Sequence, residues 1–299
     1  MKRFAGFLLP ALLLALISCN SNTNTSSTTD SATTGAQQND TTANNGSTAN
    51  FKLGVQMYTF RMFPFADALN KVDSAGIKYI EAYWGQKLGD DMTGEFGPAM
   101  STDTRNKLKQ LLQSKGIQIV AMGVITPKDK AEWIKAFDLA KDLGLSYITA
   151  EPKKDQWDMV DSLAGAYGIK VAIHDHPIPN PYSHPDSVLA AAKGHPNIGS
   201  CADIGHWARN GVNPVDALKM LEGHIIGVHL KDIVKFNNPQ AADTIVSKGI
   251  IDLPAVLKEL KRQNFNGMLS IEHESNWYHS LPDIILTKNY YEEQLNKLK

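Results

Sequence analysis

One unit recurs along this chain from Phe51 onward, and it restricts the fold more than any other feature of the sequence. Each unit is an amphipathic segment with a glycine near its end, followed by a short run rich in valine and isoleucine. The glycines suit helix C-caps, and the apolar runs have the length of buried parallel strands. We predict eight strands, near residues 53–58, 78–83, 117–123, 146–151, 170–175, 198–203, 225–230 and 268–273.

A helix-sized segment follows each predicted strand, and the last one covers residues 282–299. Eight β/α units in about 250 residues predict a single-domain α/β fold, the (β/α)8 TIM barrel, over residues 51–299. An open doubly wound sheet is the alternative. Neither a GxGxxG fingerprint nor a P-loop is present in the sequence to support it.

The first fifty residues differ in composition from the rest of the chain. Lys2 and Arg3 precede an apolar run over residues 4–17, which is too short to span a bilayer as a permanent helix. The run ends in Leu16-Ile17-Ser18-Cys19, which resembles a bacterial lipobox and implies a lipid on Cys19. We expect residues 1–19 to be a lipoprotein signal peptide, and an ordinary signal peptide with an incidental cysteine is the alternative.

Residues 20–50 contain no aromatic residue and no apolar side chain larger than alanine. Such a stretch cannot bury enough area to offset the entropy lost on ordering, so we expect a disordered Ser/Thr/Asn-rich linker. The barrel would then work outside the cytoplasm, lipid-anchored to a bacterial membrane in the periplasm or at the cell surface. Because Cys19 would carry the lipid, Cys201 is left without a cysteine partner for a disulfide.

The charge balance restricts the class of partner. The 30 basic and 31 acidic residues give a net charge of −1, whereas affinity for a nucleic-acid backbone requires clustered lysine and arginine. We therefore expect no nucleic-acid partner, and membrane contact only through the N-terminal lipid.

Polar residues collect at the predicted C-terminal ends of the strands, where barrels of this kind carry their chemistry. Five of the nine histidines fall at the ends of strands five to eight. Burying so many polar groups is costly unless they are paired or bind a metal. A mixture of histidine and carboxylate ligands suits one divalent ion such as Mn²⁺, Zn²⁺, Co²⁺ or Mg²⁺.

Carboxylates end the second, fourth and eighth predicted strands. Glu81 is either part of the site or a residue that caps or salt-bridges the barrel rim. Glu151 is a predicted metal ligand, and pairing with a following lysine is the structural alternative. Glu272 and Glu274 are two residues apart, so they point to the same face of strand eight. Glu272 is the preferred ligand because it lies nearer the strand.

Strands five to seven carry the histidine and aspartate candidates. Asp203 follows an apolar run and His229 lies inside one, so we predict that both bind metal. His174 and His176 lie two residues apart, and we expect one of them, His174, to be a ligand and the other to contact substrate.

Three tryptophans, Trp84, Trp207 and Trp277, follow strands two, six and eight. Aromatic side chains in such positions commonly form a wall on which a sugar stacks. We predict Trp84 and Trp207 as substrate contacts, and packing at the rim is the alternative.

Four segments carry a resemblance to a known family. They are GIKVAIHDHP at 168–177, CADIGHW at 201–207, VHLKD at 228–232 and SIEHE at 270–274. These segments are similar to the xylose-isomerase-like sugar phosphate isomerase/epimerase family, and the similarity runs through residues 51–290. The resemblance implies a TIM barrel with one divalent metal ion.

Carried over position by position, the resemblance implies metal ligands at Asp203, His229 and Glu272. The ligand on strand five, a glutamate in many relatives, falls on His174 in this sequence. Glu151 on strand four is then expected to supply the missing carboxylate.

The same resemblance implies how substrate is held. His206 would contact the substrate, and Lys231 would lie close to its oxygens. The loop over residues 236–248 shares little with the family, so the resemblance does not identify the sugar.

The expected chemistry follows from this donor set. A divalent ion that chelates a carbonyl and its neighbouring hydroxyl acidifies the adjacent C–H, and a base then removes the proton. The candidate bases are Glu151, His176 and Glu274. We expect a metal-dependent isomerase or epimerase that acts on a small carbohydrate. A sugar phosphate is not expected, since the chain is predicted to be exported and lacks a Gly-rich phosphate cradle after strands seven and eight.

Several other functions are compatible with the same sequence. The leading alternative is a lyase that cleaves a 3-keto-glycoside by β-elimination during extracytoplasmic glycan breakdown. A lipoprotein that only binds sugars with the help of a metal is a non-enzymatic alternative. A DNA-cutting barrel of the endonuclease IV group and a vestigial metal site are the remaining ones.

Overall fold

Eight parallel strands close into a barrel in the computed structural model, which describes residues 51–298. The strands are β1 (Lys52–Gln56), β2 (Tyr79–Tyr83), β3 (Gln118–Ile125), β4 (Tyr147–Ala150), β5 (Lys170–His174), β6 (Ile198–Asp203), β7 (Ile225–Leu230) and β8 (Met268–Ile271). Each strand pairs with the next along the chain, and β8 pairs with β1, where Met268 lies beside Lys52. The predicted (β/α)8 TIM barrel is confirmed.

Helices connect the strands and surround the barrel. They are α1 (Phe65–Ser74), α2 (Thr102–Lys115), α3 (Lys130–Leu143), α4 (Trp157–Tyr167), α5 (Pro185–Ala192), α6 (Ile204–Arg209), α7 (Pro214–Met220), α8 (Leu253–Arg262) and α9 (Leu281–Lys297). Gly144 and Gly168 end α3 and α4 with φ of +71° and +68°, the left-handed conformation that glycine adopts without steric cost. The predicted glycine C-caps are therefore confirmed at these helices.

The strand predictions agree with the structure to within two residues at every end. The predictions for the signal peptide, Cys19 and the linker over 20–50 concern residues outside the described part of the chain. Among residues 51–298, no helix is long and apolar enough to cross a membrane.

Side-chain alternation divides each strand between two environments. On β5, Val171 and Ile173 belong to the main apolar core, whereas Ala172 belongs to a smaller cluster with Tyr147 and Cys201. Neighbouring residues of a strand point to opposite faces, so the main core lies between strands and helices and the smaller cluster lies inside the barrel. His174 is on the same face as Ala172, and this alternation directs it into the barrel.

Two short antiparallel pairs interrupt the βα connections, and the sequence did not predict them. Residues Lys87–Gly89 pair with Met92–Glu95 after β2, and Asp232–Ile233 pair with Asp243–Thr244 after β7. Strands of two to four residues contain too few alternating positions to be recognised from hydrophobic periodicity.

Asp232, the last residue of the VHLKD segment, organises the loop after β7. Its Oδ1 accepts the backbone N–H of Ile233 at 2.9 Å and of Ile251 at 3.1 Å. Its Oδ2 accepts the N–H of Ser247 at 3.3 Å and of Gly249 at 3.1 Å. A Cβ at position 249 would lie 2.1 Å from Asp232 Oδ1, so only glycine allows the loop to approach this closely.

Replacing Asp232 with alanine should lower the free energy of unfolding by about 2–4 kcal/mol, because four backbone donors lose their buried acceptor. Chemical denaturation measures this change. Asp252→Ala, which removes the N-cap of α8 and its single bond to Ala255 N at 3.0 Å, is the control and should cost about 1 kcal/mol. Equal losses in the two variants would contradict the organising role of Asp232.

Candidate metal centre

Four buried side chains converge at the C-terminal end of the barrel. They belong to His174 at the end of β5, Asp203 at the end of β6, His229 on β7 and Glu272 directly after β8. One ligand atom of each lies within 4.8 Å of the corresponding atoms of the other three. These are the four residues that the sequence predicted as ligands from strands five to eight, and the structure brings them together.

The facing atoms of this four-residue cluster have ion-pair contacts with one another and with Lys231 but no regular hydrogen bond. His174 Nε2, Asp203 Oδ2, His229 Nδ1 and Glu272 Oε2 are all buried without a hydrogen-bond partner within residues 51–298. His174 Nε2 lies 3.6 Å from Asp203 Oδ2, and His229 Nδ1 lies 3.0 Å from Glu272 Oε2. Buried polar atoms are seldom left unpaired, since each costs about 1–3 kcal/mol. Two imidazole nitrogens and two carboxylate oxygens are a donor set that fits a divalent transition-metal ion.

The electrostatics of the cluster favour ionised carboxylates. Burial raises the pKa of Asp203 and Glu272, but the neighbouring positive charges, including that of Lys231, lower both pKa values below their usual range. Burial lowers the pKa of His174, whereas its contacts with Asp203 and Glu151 raise it to about 9. A metal ion would therefore have to displace a proton from His174.

Lys231 lies beside the cluster and is almost completely buried. Its Nζ lies 3.1 Å from both Asp203 Oδ2 and Glu272 Oε2, and it donates to Glu274 Oε1. Burial lowers the pKa of Lys231, but the surrounding carboxylates raise it well above the ordinary value. The ammonium group therefore carries a fixed positive charge at this end of the barrel. The predicted contact of Lys231 with substrate oxygens stays a prediction.

Glu81 lies behind the cluster, inside the barrel, rather than at the rim as one sequence interpretation had it. Its Oε2 accepts the Nε2–H of His229 at 3.0 Å and the hydroxyl of Ser270 at 3.3 Å. This bond places a proton of His229 on Nε2 and turns Nδ1 toward the cluster. Burial lowers the pKa of His229, but the surrounding charges, including those of Glu81 and Glu272, raise it well above its ordinary value. A metal ion would therefore have to displace the proton on Nδ1. Cys201 is also nearby, but burial raises the pKa of its thiol to about 12, which keeps the sulfur protonated.

Glu151 does not join the four-residue cluster. Its Oε1 binds His176 Nδ1 and lies 3.8 Å from His174 Nδ1, and its Oε2 accepts the side-chain N–H of Asn180 at 2.9 Å. Burial raises the pKa of Glu151, but these hydrogen bonds lower it below its usual range. The geometry thus places Glu151 next to the ligands as an ionised carboxylate bonded to a histidine.

His176 is the accessible partner in that pair, with 44% of its side chain exposed. Its Nε2 forms no hydrogen bond within residues 51–298. His176 and Glu151 therefore form a histidine–carboxylate pair at the mouth of the barrel. The sequence analysis identified both residues as candidate bases but did not predict that they bond to each other or that Glu151 bonds to Asn180.

The remaining predicted site residues have distinct surroundings. Glu274 is partly exposed, and its backbone N–H donates to Asp243 Oδ2 at 2.7 Å. His206 is buried on the inner side of the site, with its Nδ1 2.8 Å from Arg209 Nη1 and its Nε2 3.3 Å from Lys231 Nζ. Burial lowers the pKa of His206 well below its ordinary value, so the ring is neutral.

The prediction for Trp207 is wrong. Trp207 lies on α6, all six residues of which are buried, and its own exposure is 0%. Its ring packs in the core and cannot stack on a sugar. Trp84 is half-buried and lines a cavity of about 600 Å³ with Ile125 and Lys135, so it keeps an accessible face.

The role of Glu81 leads to a prediction about metal affinity. Glu81→Gln should weaken binding of Zn²⁺ or Mn²⁺ about 10- to 100-fold, because the amide no longer holds the Nε2–H of His229 as a charged acceptor does. Competition with a chromophoric chelator measures the affinity. Glu259→Gln, which alters a buried glutamate on α8 that pairs with Arg262, is the control. Wild-type affinity in Glu81→Gln would contradict the role assigned to Glu81.

Comparison with known proteins places this barrel in a family. Residues 69–299 match the family described as "Xylose isomerase-like TIM barrel", whereas no curated protein matched the chain. The structure is similar to that of an uncharacterised protein from Parabacteroides distasonis, with 34% identity, a TM-score of 0.67, and coverage of 82% of this chain and 99% of that one.

Two more distant structures share the fold. A protein from Bacillus anthracis named a probable 3-DHS dehydratase is 15% identical, with a TM-score of 0.65 over 81% of this chain and 99% of its own. A D-allulose 3-epimerase from Methylomonas sp. is 14% identical, with a TM-score of 0.64 over 82% of this chain and 98% of its own. The family match covers most of the sequence and agrees with the closed barrel. This protein belongs to the xylose isomerase-like TIM barrel family.

Proposed function

We propose that this protein is a metal-dependent sugar isomerase or epimerase that abstracts a proton next to a carbonyl. The observation that carries the proposal is the set of four buried donor atoms that face one another at the C-terminal end of the barrel and form no hydrogen bond within residues 51–298. A histidine–carboxylate pair and a buried lysine border that set. Membership of the family and the resemblance of the fold to a D-allulose 3-epimerase support the same class of reaction.

His174, Asp203, His229 and Glu272 would hold the ion, one of Mn²⁺, Zn²⁺, Co²⁺ or Mg²⁺. When bound, a divalent ion would polarise a carbonyl and a neighbouring hydroxyl and so acidify the C–H of the carbon that bears this hydroxyl. Glu81 keeps the ring of His229 oriented toward the other three ligands.

His176 is the proposed base. Glu151 accepts the Nδ1–H of His176, which fixes the lone pair on Nε2 and stabilises the imidazolium that forms when Nε2 takes a proton. Because His176 is exposed at the mouth, Nε2 can reach a substrate carbon. Glu151 thus acts through His176 and is not itself required to contact the substrate.

Lys231 and Glu274 serve the other side of the site. The ammonium group of Lys231 lies where negative charge develops on a substrate oxygen and screens that charge. Glu274, on the β8 side, is the second acid–base group, and His176 is on the β5 side. Proton return by the opposite group to the same carbon gives epimerisation, and return to the neighbouring carbon gives isomerisation.

A lyase remains the second candidate because the same first step serves β-elimination. Glu274 is bonded to a cationic lysine and is partly exposed, so this pair can transfer a proton to a departing oxygen. A 3-keto-glycoside whose carbonyl lies next to the abstracted proton would lose its glycosidic substituent. An extracytoplasmic location would suit such a substrate.

The base assignment predicts a defined loss of activity. His176→Ala should reduce kcat for a competent sugar by about 100-fold or more, and the exchange of its C–H proton with D₂O should fall equally. NMR in D₂O measures both, with the metal-loaded protein and a panel of neutral, acidic and keto sugars. His184→Ala, which changes an exposed histidine at the start of α5, is the control. Full activity in EDTA, or turnover without C–H exchange, would contradict the mechanism.

The proposed location also has a direct test. We propose that the mature protein is anchored through a lipid on Cys19, in the periplasm or at the cell surface. Metabolic labelling with a fatty-acid analogue should mark the wild-type chain and fail for Cys19→Ala, while Cys201→Ala, the matched control, should be labelled normally. Equal labelling of the Cys19 variant would exclude the anchor.

A further inference from the structure

Three aromatic rings form a platform on the β8–β1–β2 side of the barrel mouth. They are Tyr58 in the turn after β1, Tyr83 at the end of β2 and Trp277 in the segment after β8. The ring centroids of Tyr58 and Tyr83 are 4.9 Å apart, and those of Tyr58 and Trp277 are 5.9 Å apart, both edge to face. Such contacts fix the orientation of the rings. The aromatic platform is therefore a rigid surface at the end of the barrel that carries the metal ligands.

Arg61 packs over the ring of Trp277 and against Tyr58. Its Cζ is 3.7 Å from the ring centroid of Trp277 and 4.7 Å from that of Tyr58, and its Nη1 donates to the Tyr58 hydroxyl. Within residues 51–298, no carboxylate forms an ion pair with Arg61, and its other side-chain N–H groups make no hydrogen bond. The stacked face is used for positioning, so the free donors lie along the edge of the guanidinium plane.

Contacts connect the platform to the ligand cluster. Thr59 Oγ1, in the same turn as Tyr58, accepts the backbone N–H of His273 at 3.0 Å and so ties this turn to the residue after Glu272. Glu274 is close enough to influence Tyr58: burial raises the pKa of the phenol, Arg61 lowers it, and the charge of Glu274 raises it. Glu274 in turn binds Lys231. Arg61 therefore lies at the same end of the barrel as the four-residue cluster, without an ion-pair partner among residues 51–298.

We propose that Arg61 is a substrate subsite that binds a carboxylate, so that the preferred substrate is an acidic sugar of the uronate type. This inference rests on the proposed function. The guanidinium edge presents two parallel N–H groups that match the two oxygens of a carboxylate.

A carboxylate fits this subsite better than a phosphate. Arg61 provides a single positive charge, and the two buried cations of the site are already paired, Lys231 with Asp203, Glu272 and Glu274 and Arg209 with Asp243. A phosphate dianion usually meets several donors, such as a helix N-terminus or a Gly-rich loop. One stacked guanidinium is suited to one monoanion.

Saturation-transfer NMR and calorimetry can test the subsite with the full chain. The probes are glucose and galactose, each beside its uronate and its 6-phosphate, with the protein loaded with Zn²⁺. We expect the uronate to bind about tenfold or more tightly than the neutral sugar and more tightly than the phosphate. Arg61→Gln should abolish that preference, Arg61→Lys should retain part of it, and Lys258→Gln, at an exposed position on α8, should leave it unchanged.

The outcomes separate this inference from the proposed function. Wild-type protein that binds neutral sugars as well as uronates, or prefers phosphates, overturns the carboxylate subsite, and C–H exchange with those sugars would still support the enzyme. A uronate preference that depends on Arg61, without any C–H exchange, upholds the subsite and overturns the catalytic proposal. Because the wild-type comparison needs no variant, poor folding of Arg61→Gln leaves the test intact.

Discussion

Four buried donor atoms that face one another, without a hydrogen bond in the described residues 51–298, determine how the rest of the site is built. They come from the ends of β5, β6, β7 and the residue after β8, which are neighbours around the closed barrel. Closure and alternation force these side chains inward together, because a parallel barrel ends all its strands at the same face. At about 1–3 kcal/mol for each unsatisfied group, such a cluster is a poor structural core. The arrangement is well suited to hold a divalent cation.

The groups around the cluster divide the remaining tasks. Glu81 lies below the cluster and bonds to His229, and Lys231 lies beside the cluster and contributes positive charge. Glu151 and His176 form a pair at the mouth that would provide the proposed base. Each depends on a neighbour to keep its protonation state: Lys231 is kept charged by carboxylates, and Glu151 is kept ionised by its hydrogen bonds. The buried four-residue cluster and the exposed His176 are thus separated by depth along the barrel.

Much of the fold and of the site could be predicted, because strand order and side-chain alternation follow from the pattern of apolar and polar residues in the sequence. Polar residues that end apolar runs, such as Asp203 and His229, could be placed at one face of a barrel without a structure. The contacts of individual side chains could not be predicted in this way. Glu151 bonds to His176 instead of joining the four-residue cluster, and Trp207 is buried in the packing of α6. Arg61 follows a short turn with no motif, and the two rings that it contacts, Tyr58 and Trp277, come after two different strands.

The central claim is that a divalent ion binds to two imidazoles and two carboxylates at the end of this barrel. X-ray absorption spectroscopy on the Zn²⁺-loaded protein, together with metal stoichiometry, tests it most directly. The account predicts one ion per chain, bound through His174, His229, Asp203 and Glu272 without sulfur, and loss of that ion in Asp203→Asn and in His229→Ala. Stoichiometric metal in both variants, or a sulfur ligand from Cys201, would contradict it.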